Sequence, residues 1–495
     1  MSRRPLRTNF VFNLLFPLAR LAVSFVTVPI YIHHVGDARY GVLSIVWLLA
    51  GYFGFLDLGL SRAAANALAK LREAPQAERA RVLLTTFVLN FGFGVVGSAF
   101  LLILGGYLLQ HVISIPDVLR PEVARSFPWI AAVFPMALIS GVAIGALESS
   151  ERFLLANILQ ILGMSVSQIA PVVIAVVVGP SLTVVLPAAA VAQASGVVVT
   201  LAVVYRLEGP FSLRAFAPQE ARALLGYGAW ITVSGIISPL LASLDQFLIG
   251  SLMGVAAVAH YSIPMNFVVR SQIIPAALAR TFFPRMSSSS GDEARALGGR
   301  ALCSLGYGYA AICAPGIIIS PLFFHYWISA SFALVAAPVA QIVFVGAWIN
   351  GLAFIALTVL QSQGRPDITG KLHMIEILPF VAILWILTMN LGINGAAIAW
   401  SLRTTVDALA LFWASGMQRR EIMSALWPAA LLAASGAAAH FVSQNLGLAL
   451  LAAFLAGATS ITLGYVFCED WKRFFAALFA RARGFGDGLI RSTSS

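Results

Sequence analysis

The stretch Val35-Gly36-Asp37-Ala38-Arg39-Tyr40-Gly41-Val42-Leu43-Ser44-Ile45 returns without a gap as Met253-Gly254-Val255-Ala256-Ala257-Val258-Ala259-His260-Tyr261-Ser262-Ile263, with Gly, Ala, Ser and Ile in register at an offset of 218 residues. Two further echoes keep the same order. Leu147, Ser149 and Arg152 return as Leu360, Ser362 and Arg365, and Ala189-Ala190-Val191-Ala192 returns as Ala396-Ala397-Ile398-Ala399. Echoes of nearly one period argue for two homologous halves. Two halves enclosing a midplane site is a transporter plan.

The chain is 60% apolar and 10% charged over 495 residues, too little charge to cover the surface of a soluble globule of that size. About fourteen apolar runs, from Asn9–Ile32 to Leu446–Phe467, have the length a helix needs to cross a hydrocarbon core. None alternates apolar with polar as barrel strands do. The expected fold is an all-α integral membrane protein. It has a first lobe of six helices over residues 1–207, a second over 208–418, two further helices over 419–467 and a basic tail over 468–495.

Basic residues orient the array. Arg3-Arg4, the group from Lys70 to Arg81, Arg419-Arg420 and Lys472-Arg473 fall on one side, and only Arg39, Arg120 and Arg125 on the other. The positive-inside rule then places both termini in the cytoplasm. It also accounts for the net charge of +11 without nucleic acid as a partner. The opening apolar run reads as a first membrane helix and not a cleaved signal. The longest outer connection, Gln110 to Ser126, leaves no room for an external catalytic domain, which weighs against a glycan polymerase or ligase. His33-His34 is a poor metal pair because adjacent side chains diverge on a helix. Cys303, Cys313 and Cys468 lie in or at the ends of spans, so neither a disulfide nor a metal motif is expected. No Gly-x-x-x-x-Gly-Lys-Ser/Thr occurs, so energy is expected from an ion, voltage or substrate gradient and not from ATP, with no cofactor beyond a coupling H⁺ or Na⁺.

The first repeat unit with Phe55-Leu56-Asp57-Leu58-Gly59-Leu60-Ser61-Arg62, then Leu244-Asp245-Gln246-Phe247-Leu248-Ile249-Gly250, Tyr261-Ser262-Ile263-Pro264 and Gln361-Ser362-Gln363-Gly364-Arg365-Pro366-Asp367, resembles the bacterial polysaccharide transporters. These are the Wzx-type oligosaccharide flippases of the MATE-like superfamily, and the resemblance covers about Asn9 to Gly416. It implies two six-helix lobes around a central cleft with two helices appended. It also implies carriage of undecaprenyl-pyrophosphate-linked oligosaccharide from the cytoplasmic to the periplasmic leaflet of the inner membrane, for O-antigen, capsule or exopolysaccharide. A polysaccharide polymerase and a chain-length regulator are partners such a carrier implies. Lipid II flippases and cation-coupled drug antiporters share the superfamily and stay open as alternatives.

Intramembrane charges are the candidate site. Arg20 lies about 17 Å from either end of the first span, and Arg270 near the middle of the eighth, too deep for easy snorkelling. A guanidinium in a wet cleft forms bidentate hydrogen bonds to pyrophosphate, while the competing reading is an ion pair with Asp245 or Asp407 that fixes packing. Asp245, Asp407 and Asp57 are candidates for ion coupling or gating. Arg403 and Asp407, four apart on one helix, are expected to neutralise each other. Glu376 and Arg280 read as solvated near the cytoplasmic interface. Pro17 and Pro29 in the first span and Pro239 in the seventh interrupt equivalent helices and are hinge candidates.

Overall fold

The computed structural model describes residues 6–71, 74–209, 216–222, 243–424, 426–442, 445–473 and 475–476, with the backbone alone for residues 6–20, 366 and 422. The described residues are helical and contain no strand. That follows from the medium, because hydrocarbon offers no partner for a backbone N–H or C=O and each segment must pair its own. Among the described residues ten helices are long and apolar enough to cross a membrane. The chain divides into two compact units, Met1–Ala259 and His260–Ser495.

In the first unit the helices run α1 (Leu6–Val35), α2 (Asp37–Tyr52), α3 (Leu60–Lys70), α4 (Gln76–Phe100), α5 (Arg120–Ser149), α6 (Phe153–Val177), α7 (Leu182–Glu208) and α8 (243–252). Small residues let these helices approach. A Cβ at Gly141 would stand 2.7 Å from the Ser61 hydroxyl, and one at Gly196 would stand 3.0 Å from the Gly163 Cα. Polar locks close both ends of α7, whose 27 residues span about 40 Å. At its start Glu122 accepts from Arg39 at 2.8 and 3.0 Å and from the Leu182 N–H at 2.8 Å. At its end Arg79 and Glu208, both buried, form a two-point ion pair at 2.9 Å, and Ser150 bridges them.

The second unit takes up α9 (Val255–Arg270) after its first turn and continues with α10 (Ile273–Ser287), α11 (Gly291–Trp327), α12 (Ala330–Ser362), α13 (Pro366–Ser415), α14 (Arg419–Met423), α15 (Leu426–Val442) and α16 (Leu446–Phe467). α13 is a hairpin of two helices. Gly392 takes φ 61° and ψ −145°, a conformation that suits glycine, and a Cβ on Gly395 would stand 1.9 Å from the Leu387 carbonyl oxygen. The Asp367–Ser415 segment therefore folds back and supplies two crossings.

Two expectations are corrected here. Cys303 and Cys468 are joined in a disulfide with Cα atoms 6.0 Å apart, because α16 packs along α11 and brings its C-cap residue beside the fourth turn of α11. No local pattern points to this pairing, since 165 residues separate the two. Two of the fourteen apolar runs expected as continuous spans, Tyr40–Leu60 and Val258–Phe283, are interrupted, by a 3₁₀ turn at Phe53–Asp57 in one and a turn at Ser271-Gln272 in the other.

Candidate substrate and coupling site

These interruptions are the structural form of the duplication. α2 and α9 are each 16 residues long and their ranges coincide at the sequence offset of 218, and each starts after a glycine of positive φ, 83° at Gly36 and 87° at Gly254. Each breaks and resumes as a second short helix, α3 or α10. Broken helices at matched positions of a duplicated transporter mark where a substrate binds and where the helix hinges.

Arg270 is the last residue of α9, half-buried at the break itself. Asp57 closes the other break. Its carboxylate accepts from the Ser61 hydroxyl at 2.5 Å, from the Ser61 N–H at 3.3 Å and from Asn90 Nδ2 at 3.0 Å, so it anchors the start of α3 to α4. Leu58 and Gly59 take left-handed conformations there, with φ 48° and 70°.

The second helices carry arginines that sequence reasoning placed at the cytoplasmic margin. α3 buries Leu60, Ala63, Ala64 and Leu68 and exposes Arg62, Asn66 and Lys70 in one stripe, with Arg62 about 12 Å before Lys70 along the helix. Arg280 stands on α10 at the offset of 218 from Arg62 and is likewise exposed. An exposed face bearing Arg and Asn is costly against lipid and suits water. The signal was in the sequence, in the helical spacing of Arg62, Asn66 and Lys70.

The second unit brings four titratable groups together across the α13 hairpin. Arg403 Nη1 lies 3.8 Å from Glu376 Oε2, and His373 Nε2 lies 3.7 Å from Asp407 Oδ1. The Arg403 guanidinium also sits 5.2 Å over the Phe380 ring. Glu376 is not solvated as its position suggested. It is 9% exposed and Asp407 7%, and neither carboxylate oxygen of Glu376 nor Asp407 Oδ1 has a hydrogen bond within the described residues. With histidine neutral the cluster carries two acids against one base. Asp245 in α8 is 2% exposed and accepts from the Gln246 N–H at 2.8 Å. Pro29 is half-buried within α1, which continues through it. The side chains of Arg20 and Pro17, and all of Pro239, lie outside the described residues.

Residues 6–290 match the family described as polysaccharide biosynthesis protein. The chain belongs to that family. A curated relative in Shigella flexneri, named "Putative O-antigen transporter", is 28% identical over 417 residues, covering 82% of this chain and 96% of the relative. Among solved structures, the lipid II flippase MurJ in an inward closed conformation aligns with a TM-score of 0.69 at 12% identity over 92% of this chain and 99% of that one. An inward-facing MATE multidrug transporter of the MOP superfamily aligns with a TM-score of 0.66 at 16% identity, over 82% of this chain and 98% of that one. At these identities the likeness shows the fold alone, that of a multi-pass helical membrane protein. The curated relative and these two fold neighbours are named for transport.

Proposed function

We propose that this polysaccharide biosynthesis protein is a flippase that carries a polyprenyl-pyrophosphate-linked oligosaccharide from the cytoplasmic to the periplasmic leaflet of the inner membrane, with both termini cytoplasmic. The observation that carries the reading is the register-matched break in α2–α3 and α9–α10, with Arg270 at one break and exposed arginines on both second helices. Arg20 and Arg270 hold the pyrophosphate by bidentate hydrogen bonds. The saccharide stays in water and the polyprenyl tail in lipid.

The Glu376–Arg403–Asp407–His373 cluster supplies coupling. Its surplus negative charge is neutralised by a proton or a monovalent cation, and loading or release of that ion biases the conformational exchange. Asp245 is a second coupling residue, Asp57 a gate at the α2–α3 break, and Pro17, Pro29 and Pro239 are hinges. A polymerase and a chain-length regulator act on the delivered glycan.

The test is translocation by the purified full chain in sealed vesicles, with undecaprenyl-pyrophosphate oligosaccharide and lipid II offered in parallel. Transfer of the oligosaccharide at unchanged mass is expected. Chain extension by the protein alone makes it an enzyme of glycan assembly, and transfer of lipid II in its place reassigns the cargo.

A further inference from the structure

Beyond Phe100, α4 does not continue as a regular α-helix. Its hydrogen bonding widens to π turns at Leu101–Gly105 and again at Leu108–Val112. A π turn adds a residue to the helix, shifts its side chains around the axis and is often found at functional sites. Between this widened segment and the first turns of α5 lies a cavity of about 620 Å³, wholly within the first unit. That volume lies inside the range of about 300–1,000 Å³ common to small-ligand pockets.

The walls are apolar, with Leu102 and Leu109 on one side and Val123 and Phe127 on the other. Arg120 is fixed at the mouth by donating to the Gln110 carbonyl at 2.7 Å and by an ion pair with Asp117 at 3.0 Å, while its side chain remains 46% exposed. Arg39 is committed to Glu122. Arg120 lines the cavity, and because it and its partner Asp117 are both exposed, its guanidinium stays accessible to a ligand in a way that Arg39 does not. Gly106 in the wall faces open space, with no atom within 4 Å of where a Cβ would stand.

We propose that this cavity is a binding site for an anionic phospholipid, with one acyl chain between α4 and α5 and the phosphate against Arg120. An apolar slot with a guanidinium at its mouth matches that amphiphile and does not match a neutral or cationic headgroup. The site is distinct from the interrupted helices and does not depend on what the protein carries.

Native mass spectrometry of the purified full chain, exposed to mixed micelles holding equal phosphatidylglycerol and phosphatidylcholine, tests the assignment. The wild type is expected to retain phosphatidylglycerol with a preference of about tenfold, the effect of one charge-assisted contact. Gly106→Leu should remove the bound lipid, and Arg120→Gln should retain lipid with the preference lost. Equal retention of the two lipids by the wild type, or unchanged phosphatidylglycerol retention in both variants, overturns the proposal. So does displacement of the lipid by undecaprenyl phosphate but not by added phosphatidylglycerol, which would make the cavity a berth for the cargo's tail.

Discussion

Arg403 on the second arm of α13 lies 3.8 Å from Glu376 on the first, and one turn away Asp407 faces His373 across the same gap at 3.7 Å. The two arms are thereby joined by charge at membrane depth, where an unpaired ion is costly. The arrangement is a buried network with one acid in surplus, and removing different members has different consequences.

Asp407→Asn removes the surplus charge and leaves the Arg403–Glu376 pair intact. Such a variant should insert and accumulate normally, and its flipping rate in vesicles should no longer respond to an imposed proton or sodium gradient. A response equal to that of the wild type would remove the cluster from the coupling mechanism. Arg403→Gln strands Glu376 instead, and its membrane abundance should fall.

The α13 turn depends on Gly395. A Cβ there meets backbone, not a movable side chain, so Gly395→Ala should disrupt the hairpin and lower the amount of folded protein several-fold. Size-exclusion profiles of the detergent-solubilised variant provide the check. An unaltered profile would show that the arms do not pack as described.

Arg79 and Glu208 anchor the end of α7 through a buried two-point pair. Arg79→Gln leaves a buried carboxylate without its partner and should cost about 3–5 kcal/mol, seen as a lower thermal midpoint in detergent. Arg79→Gln with Glu208→Gln should recover much of the loss. Recovery of nothing would mean that Arg79 acts chiefly through the Leu68 and Leu71 carbonyls it also reaches.

Membrane orientation is open to direct labelling. Cysteine placed at Gly291 should react with an impermeant maleimide only in opened cells, and cysteine at Pro116 should react in intact ones. The reverse pattern would invert the map and the direction of transport drawn from it.

The helical class and the duplication were legible because apolar runs and a repeated segment are local features. The repeat at Val35 and Met253 marks the starts of two helices of equal length. The breaks that follow were not legible, since a 3₁₀ turn at Phe53–Asp57 keeps an apolar composition and its left-handed Leu58 carries no propensity signal. Arg403 and Asp407 stand four apart, the spacing of a local pair, yet their recorded partners are Glu376 and His373 on the opposite arm. Only the reversal at Gly392 brings those residues near. The Cys303–Cys468 bond was hidden in the same way, behind a packing of α11 on α16 that no local pattern encodes.

Translocation by Arg20 and Arg270 variants in sealed vesicles separates pyrophosphate binding by these arginines from charge balance alone. Gln at either position should reduce transport of the lipid-linked oligosaccharide at least about tenfold, the loss of one charge-assisted contact, with insertion and abundance near wild type. Lys should restore only part, since it lacks the planar fork. Full transport by a neutral double variant, Arg270→Gln with Asp245→Asn or Asp407→Asn, would show that Arg270 serves only to balance a buried acid, and would contradict the account.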